Sequence, residues 1–191
     1  MSDKNFLIIM AGLPGTGKST TAKKLAEKLG YHLISQNDVR REHGMKDMPP
    51  HQEAVLRDVD QRVFKALSAG KGVILDAAHR DGHRRHQLYG ISSGLGLGVI
   101  VIECVASEKE AKRRMQARPQ SDGLIVDAWD PKAYDRVAAG WRDVAADFSD
   151  ISDHVTHIVL DTETGDVEIK TKGWAEGIEE KIKKILLEGR K

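Results

Sequence analysis

The sequence has 191 residues, 40% of them hydrophobic and 31% charged, and its 30 Lys and Arg almost balance 29 Asp and Glu, for a formal net charge of +1. That balance fits one globular domain and excludes a chain that is disordered by charge or that coats nucleic acid with an overall basic field; contact with nucleic acid would need a local patch. The one cysteine, Cys104, excludes an internal disulfide and reads as a buried strand residue, and no apolar run nears the roughly 20 residues of a membrane span, so a cytoplasmic protein without membrane contact is expected.

Phe6–Ala11 is a short apolar run without alternation, as expected of a strand covered on both faces. A helix should start near Lys18, with Ala22, Leu25, Ala26 and Leu29 on one face, and stop at Gly30. Tyr31–Ser35 reads as a second strand. His51–Ala69 is the clearest helix, because Val55, Val59, Val63 and Leu67 recur every four residues and Gly70 closes it. Gly72–Asp76 is a buried strand that ends in an acid, and Gly82–Ser93 a polar helix. Val99–Cys104 is a fourth strand. Ser107 and Glu110 then have the capping-box spacing of a helix that runs to Arg118, before Pro119. Asp130 and Pro131 open a further helix to about Phe148. His157–Asp161 is a fifth strand, Thr162–Asp166 a turn and Val167–Lys170 a short extra strand. Trp174, Ile178, Ile182, Ile185 and Leu186 mark a terminal amphipathic helix. Trp129, Trp141 and Trp174 read as packing residues. Strands alternating with helices predict an α/β fold with a mostly parallel, five-stranded sheet between helical layers, in which ligands bind beyond the carboxyl ends of the strands.

At the end of the first strand stands Gly12-Leu13-Pro14-Gly15-Thr16-Gly17-Lys18-Ser19-Thr20, which satisfies G-x-x-x-x-G-K-S/T. Glycines let backbone N–H groups approach phosphate oxygens with no side chain between, and the following helix turns its positive end to the same place. Lys18 offers a charge to the β and γ phosphates and Ser19 a hydroxyl to Mg²⁺, so ATP and Mg²⁺ are the expected cofactors.

Other strand ends carry acids and arginines. After the second strand comes Gln36-Asn37-Asp38-Val39-Arg40-Arg41, where Asp38 is a candidate base for an attacking hydroxyl or a helix cap, and Arg40 or Arg41 a candidate clamp for an anionic substrate. Asp76 is a candidate for holding Mg²⁺ through water or for orienting substrate. The basic run His79–His86 offers Arg80, Arg84 and Arg85 to a phosphorylated or nucleic-acid substrate, or forms a solvated helix face; its histidines match no zinc spacing. Arg114 and Arg118 lie four apart on one helix face, suited to charge on a transferring phosphoryl group, and the aperiodic Gln120–Asp130 after them is a candidate lid.

Together GLPGTGKST, ISQNDVRRE, VILDAAHRDGHRR, RRMQAR and VDAWD resemble, in order, the small P-loop kinases, most closely the polynucleotide-kinase and zeta-toxin-like group of AAA-type kinase-like ATPases. The resemblance spans most of Phe6–Phe148 and leaves the tail after Asp161 without a signature. It implies a P-loop three-layer α/β/α sandwich, one domain over residues 1–191 with a lid at about 114–130, and transfer of the γ-phosphate of ATP to an acceptor hydroxyl. The 5′-hydroxyl of a polynucleotide is the favoured acceptor. A sugar, nucleoside or sugar nucleotide is the alternative, and an ATP-binding switch with weak hydrolysis a third. In the polynucleotide kinases a second-strand D-x-x-R supplies the base and an arginine for the acceptor. Here Asn37 stands three residues before Arg40, whereas Asp38 stands three before Arg41, and an amide is no general base. Asp38 is therefore the preferred base. Arg114 and Arg118 match the family's lid arginines, and Arg85 falls near an arginine of its substrate helix.

Overall fold

The computed structural model describes residues 5–44, 52–118, 130–148, 154–173 and 177–188. Its sheet runs β2 (His32–Ser35), β3 (Val73–Asp76), β1 (Leu7–Ala11), β4 (Val99–Val105), β5 (Val155–Asp161), β6 (Val167–Thr171). The first five strands are parallel; β6 is antiparallel to β5, with Ile158 opposite Ile169. The five expected strands are thus joined in one sheet by the short extra strand, which becomes its sixth. The reversal is local: the Asp161 carboxylate accepts from the N–H groups of Glu163 (2.8 Å) and Thr164 (3.0 Å), folding the chain straight back.

Every residue of β1 is buried, because both faces are covered. Leu7, Ile9 and Ala11 face α3 (Gln52–Ser68) through Val55, Val59, Val63 and Leu67, and α4 (Gly82–Ser93) through Leu88 and Tyr89. Ile8 and Met10 face Ala22 and Leu25 of α1 (Lys18–Leu29) and Ile182, Ile185 and Leu186 of α7 (Ile178–Leu187). These are the three expected layers. From β1 the chain passes to β2 and β3 on one side and then crosses to β4 and β5 on the other, so the crevice at such a switch opens beyond the carboxyl end of β1.

Two elements depart from the sequence pattern. α2 (Gln36–Glu42) begins directly after β2, with Ser35 Oγ accepting from the N–H of Asp38 at 3.3 Å; Ser35, not Asp38, is the cap. The helix expected from Pro131 to about Phe148 is α6 (Pro131–Ala139), ended by Gly140, then a 3₁₀ turn at Ala145–Phe148. The break lets Asp147 reach Arg85, whose side chain is fully buried. Arg85 Nη2 donates to Asp147 Oδ1 (2.9 Å), its Nε to Asp147 Oδ2, and its Nη1 to the carbonyl of His79 (2.7 Å), while Tyr89 Oη donates to Asp147 at 3.0 Å. Trp141 packs at the edge of the α3/α4 core; Trp129, Trp174 and residues 119–129 of the candidate lid at about 114–130 lie outside the described residues.

Removing one member of a buried ion pair leaves the other charged and uncompensated. Asp147→Ala should therefore destabilise the fold by about 3–5 kcal/mol in urea denaturation, and Arg85→Met combined with Asp147→Leu should recover most of the loss.

Candidate active site

The loop between β1 and α1 leaves no room for side chains at its glycines. Gly12 has φ 138°, and a Cβ there would lie 2.3 Å from the Cys104 carbonyl oxygen; Gly15 has φ 80°, and a Cβ there would lie 2.2 Å from the Ala111 carbonyl oxygen on α5 (Glu108–Gln116). Gly17 precedes α1 with no side-chain cap, so the first-turn N–H groups remain for an anion. Thr162, after β5, bolts the loop from behind: its Oγ1 donates to the Thr16 carbonyl at 2.9 Å. Lys18 Nζ donates to the Leu13 carbonyl at 2.7 Å, and desolvation lowers its pKa to about 8 despite the nearby Cys104 and Asp76.

A cleft of about 320 Å³ opens beside this loop, and its walls include Lys18, Ser19, Asn37, Arg40, Asp76 and Arg118. Asp76 accepts a hydrogen bond from Ser19; burial raises its carboxyl pKa, while Ser19 and the Lys18 charge oppose the rise. The helical turn of α2 separates the two readings of the second motif. Asn37 and Arg40, one turn apart, line the cleft, with Arg40 Nη1 on Asn37 Oδ1 (3.3 Å) and Nη2 on Gln52 Oε1 (3.1 Å). Asp38 and Arg41 are exposed, bonded to each other and absent from the cleft lining. The expected base Asp38 and clamp Arg41 therefore do not line the cleft, because one residue along a helix is about 100° around its axis, although the Asp38 charge still acts on Asp76.

The arginines divide similarly. Arg80 lines the cleft. Arg84 also reaches it but is held by both oxygens of Asp60, at 2.6 and 2.8 Å. Arg85, expected on substrate, is a core residue with its donors on Asp147 and on carbonyls. Arg114 turns away from the cleft, to Glu110 (2.7 Å) and Thr162 Oγ1 (2.7 Å), whereas Arg118 lines the cleft near Lys18. His79 opens the basic run, yet its place in the fold is not legible from that run. Its φ is 45°, the one positive value among the described non-glycine residues, and its ring is buried with Nδ1 on the Met10 carbonyl at 2.8 Å. Its Nε2 has no hydrogen-bond partner, and desolvation lowers its pKa to about 4, so the imidazole is neutral. Among the described residues no cluster of three His, Cys, Asp or Glu could hold a metal by itself. Nor is any described helix long and apolar enough to cross a membrane.

A strand, a glycine-rich phosphate loop, a helix and an acid on the adjoining strand define a P-loop domain. The chain belongs to the AAA domain family AAA_33, whose model matches residues 7–139. It is 27% identical over 139 residues to a protein of Methanosarcina mazei named "Putative adenylate kinase", covering 70% of this chain and 71% of that one. A Thermococcus gammatolerans protein of the same name is 38% identical over 82 residues, 43% of this chain and 44% of its own, so the chain spans under half of that relative. The fold is shared with Chaetomium thermophilum Kti12 in complex with ADP-AlF3 (TM-score 0.60, 19% identity, 82% and 89% of the two chains). It is shared as well with a chain of the Pnkp1/Rnl/Hen1 RNA repair complex (TM-score 0.62, 19% identity, 73% and 45%). The resemblance to the P-loop kinases thus stands at the level of family and fold.

Lys18 has a folded pKa of about 8 against an ordinary 10.5, so between these values the unfolded chain binds more protons and stability from this group rises with pH; below pH 8 its cost is constant. Lys18→Met should therefore be more stable than the parent near pH 7 in urea denaturation, with the gap closing towards pH 10. Gly15→Ala should destabilise the fold at every pH in the same assay, since a Cβ would meet the Ala111 carbonyl.

Proposed function

We propose that the chain transfers the γ-phosphate of Mg-ATP to a small acceptor held in the cleft. Collision of any Cβ with the backbone at Gly12 and Gly15 supports ATP on Gly12–Thr20, because the loop has the form of a phosphate cradle. Ser19 at the start of α1, hydrogen-bonded to Asp76, fits Mg²⁺, an ion that takes one or two protein oxygens and completes its shell with phosphate and water. The ion supplies neutralisation of charge on the transferring group. Lys18 and Arg118 neutralise the same charge from the protein side, Arg40 and Arg80 hold the acceptor, and the segment 114–130 closes over them in the one domain as a lid.

The observation that carries the choice of a small acceptor is the fate of the basic run His79–His86. Arg84 is taken by Asp60 and Arg85 by Asp147, which leaves Arg80 as the arginine of that run facing the cleft without a described carboxylate partner. A strand of nucleic acid is bound by a row of cations along its phosphates, whereas about 320 Å³ suits a compact molecule. Labelled ATP should thus mark a small metabolite and leave a 5′-hydroxyl oligonucleotide unlabelled; efficient labelling of the oligonucleotide alone would defeat this reading. Lys18→Ala should lower turnover at least a hundredfold with an unchanged circular dichroism spectrum.

A further inference from the structure

Resting on the reading that Gly12–Thr20 holds Mg-ATP, we infer that Arg114 and Thr162 are positioning residues for the nucleotide: Arg114 orients the Thr162 hydroxyl, and Thr162 fixes the Gly17 N–H towards the phosphates. Arg114 shares a sequence motif with Arg118, but Arg118 lines the cleft and Arg114 does not. Thr162 stands beyond Asp161, in the part of the chain without a family signature. Its polar groups are all committed. The Thr162 N–H donates to the Val105 carbonyl (2.9 Å), and its carbonyl accepts from Arg114 Nη2 (3.2 Å). Its Oγ1 accepts from Arg114 Nη1 (2.7 Å) and lies 2.9 Å from the Thr16 carbonyl and 3.2 Å from that of Val105. A guanidinium only donates, so Arg114 occupies a lone pair of the hydroxyl and leaves its one proton for a carbonyl, of which that of Thr16 is the nearer. Arg114 is itself held, since its Nε donates to Glu110 Oε1 at 2.7 Å, one turn earlier on α5. Hydrogen bonds from Arg113 and Arg114 lower the Glu110 carboxyl to about 2, so this anchor is ionised at neutral pH.

The chain of bonds ends on the peptide between Thr16 and Gly17. A trans peptide is planar, and its C=O and N–H point opposite ways. Pinning the Thr16 carbonyl to Thr162 therefore turns the Gly17 N–H away from Thr162. Gly17 lines the cleft, so that is the side from which a phosphate oxygen approaches. The Thr162 methyl adds a steric stop: a Cβ on Gly17 would lie 3.2 Å from it, so one side chain both bonds Thr16 and seats the next residue. A donor aligned before the ligand arrives stabilises phosphate charge without a cost of reorganisation. Bonds in such a chain also polarise one another, which is how a charge on α5 acts on a loop amide it does not touch.

The test measures the dissociation constant of Mg-ATP by titration calorimetry, with urea denaturation alongside, for the purified chain and its variants. Thr162→Val keeps the shape and loses the hydroxyl; it should weaken binding about tenfold. Thr162→Ser keeps the hydroxyl and should recover most of that loss. Arg114→Met should weaken binding by a similar factor. Because both residues act on one peptide, Arg114→Met combined with Thr162→Val should bind no more than about twofold weaker than the worse single variant, where independent effects would multiply to about a hundredfold. Binding of Thr162→Val at the parent's strength, multiplication of the two losses, or urea midpoints that fall while the dissociation constants hold would each overturn the inference. A parent chain that binds no Mg-ATP would instead overturn the reading of the loop on which it rests.

Discussion

Two carbonyl oxygens set the terms for this molecule. Those of Cys104 and Ala111 press against Gly12 and Gly15 so closely that the phosphate loop has only one way to lie. The loop is clamped between the end of β4 and the second turn of α5, and Thr162 ties its Thr16 carbonyl from a third side. A cradle held from three directions does not reorganise when charge arrives, which is how a row of weak amide dipoles becomes effective on a phosphoryl group. Ala111 and Met115 of α5 are buried with Ala133 and Tyr134 of α6, and Leu13 of the loop packs against that cluster.

The phosphate loop was legible because it is contiguous: spacing, strand and helix all lie within fifteen residues, Phe6–Thr20. α3 was legible because its apolar residues repeat every four positions and all lie on one face. What the sequence hid depended on rotation or on distance. Asn37 and Asp38 are adjacent letters, and only the helix phase set by the Ser35 cap decides which of them faces the cleft. Arg84 and Arg85 read as substrate contacts or as a solvated face, yet one is nine-tenths buried against Asp60, 24 residues away, and the other fully buried against Asp147, 62 residues away. No window around α4 contains those partners. The early end of α6 belongs with them, because the chain leaves the helix where Asp147 must come back to α4.

The cleft also shows how charge and strain are distributed around one end of the sheet. Arg85 stabilises the wall from within, holding the His79 carbonyl, while His79 itself adopts a left-handed backbone that non-glycine residues rarely accept. The bond from its ring to the Met10 carbonyl joins that strained turn to the strand feeding the phosphate loop. Such a backbone persists only where its surroundings over-determine it, and here a buried guanidinium holds its carbonyl and a main-chain carbonyl its ring.

At the far margin of the sheet β6 has a quieter role. A parallel sheet that stopped at β5 would present a long apolar margin with open hydrogen-bonding groups to any passing extended chain. β6 covers it with a segment whose alternate residues Glu168 and Lys170 point to water. The hairpin thus works as a hem, keeping one copy of the fold from being stitched to the next along its backbone.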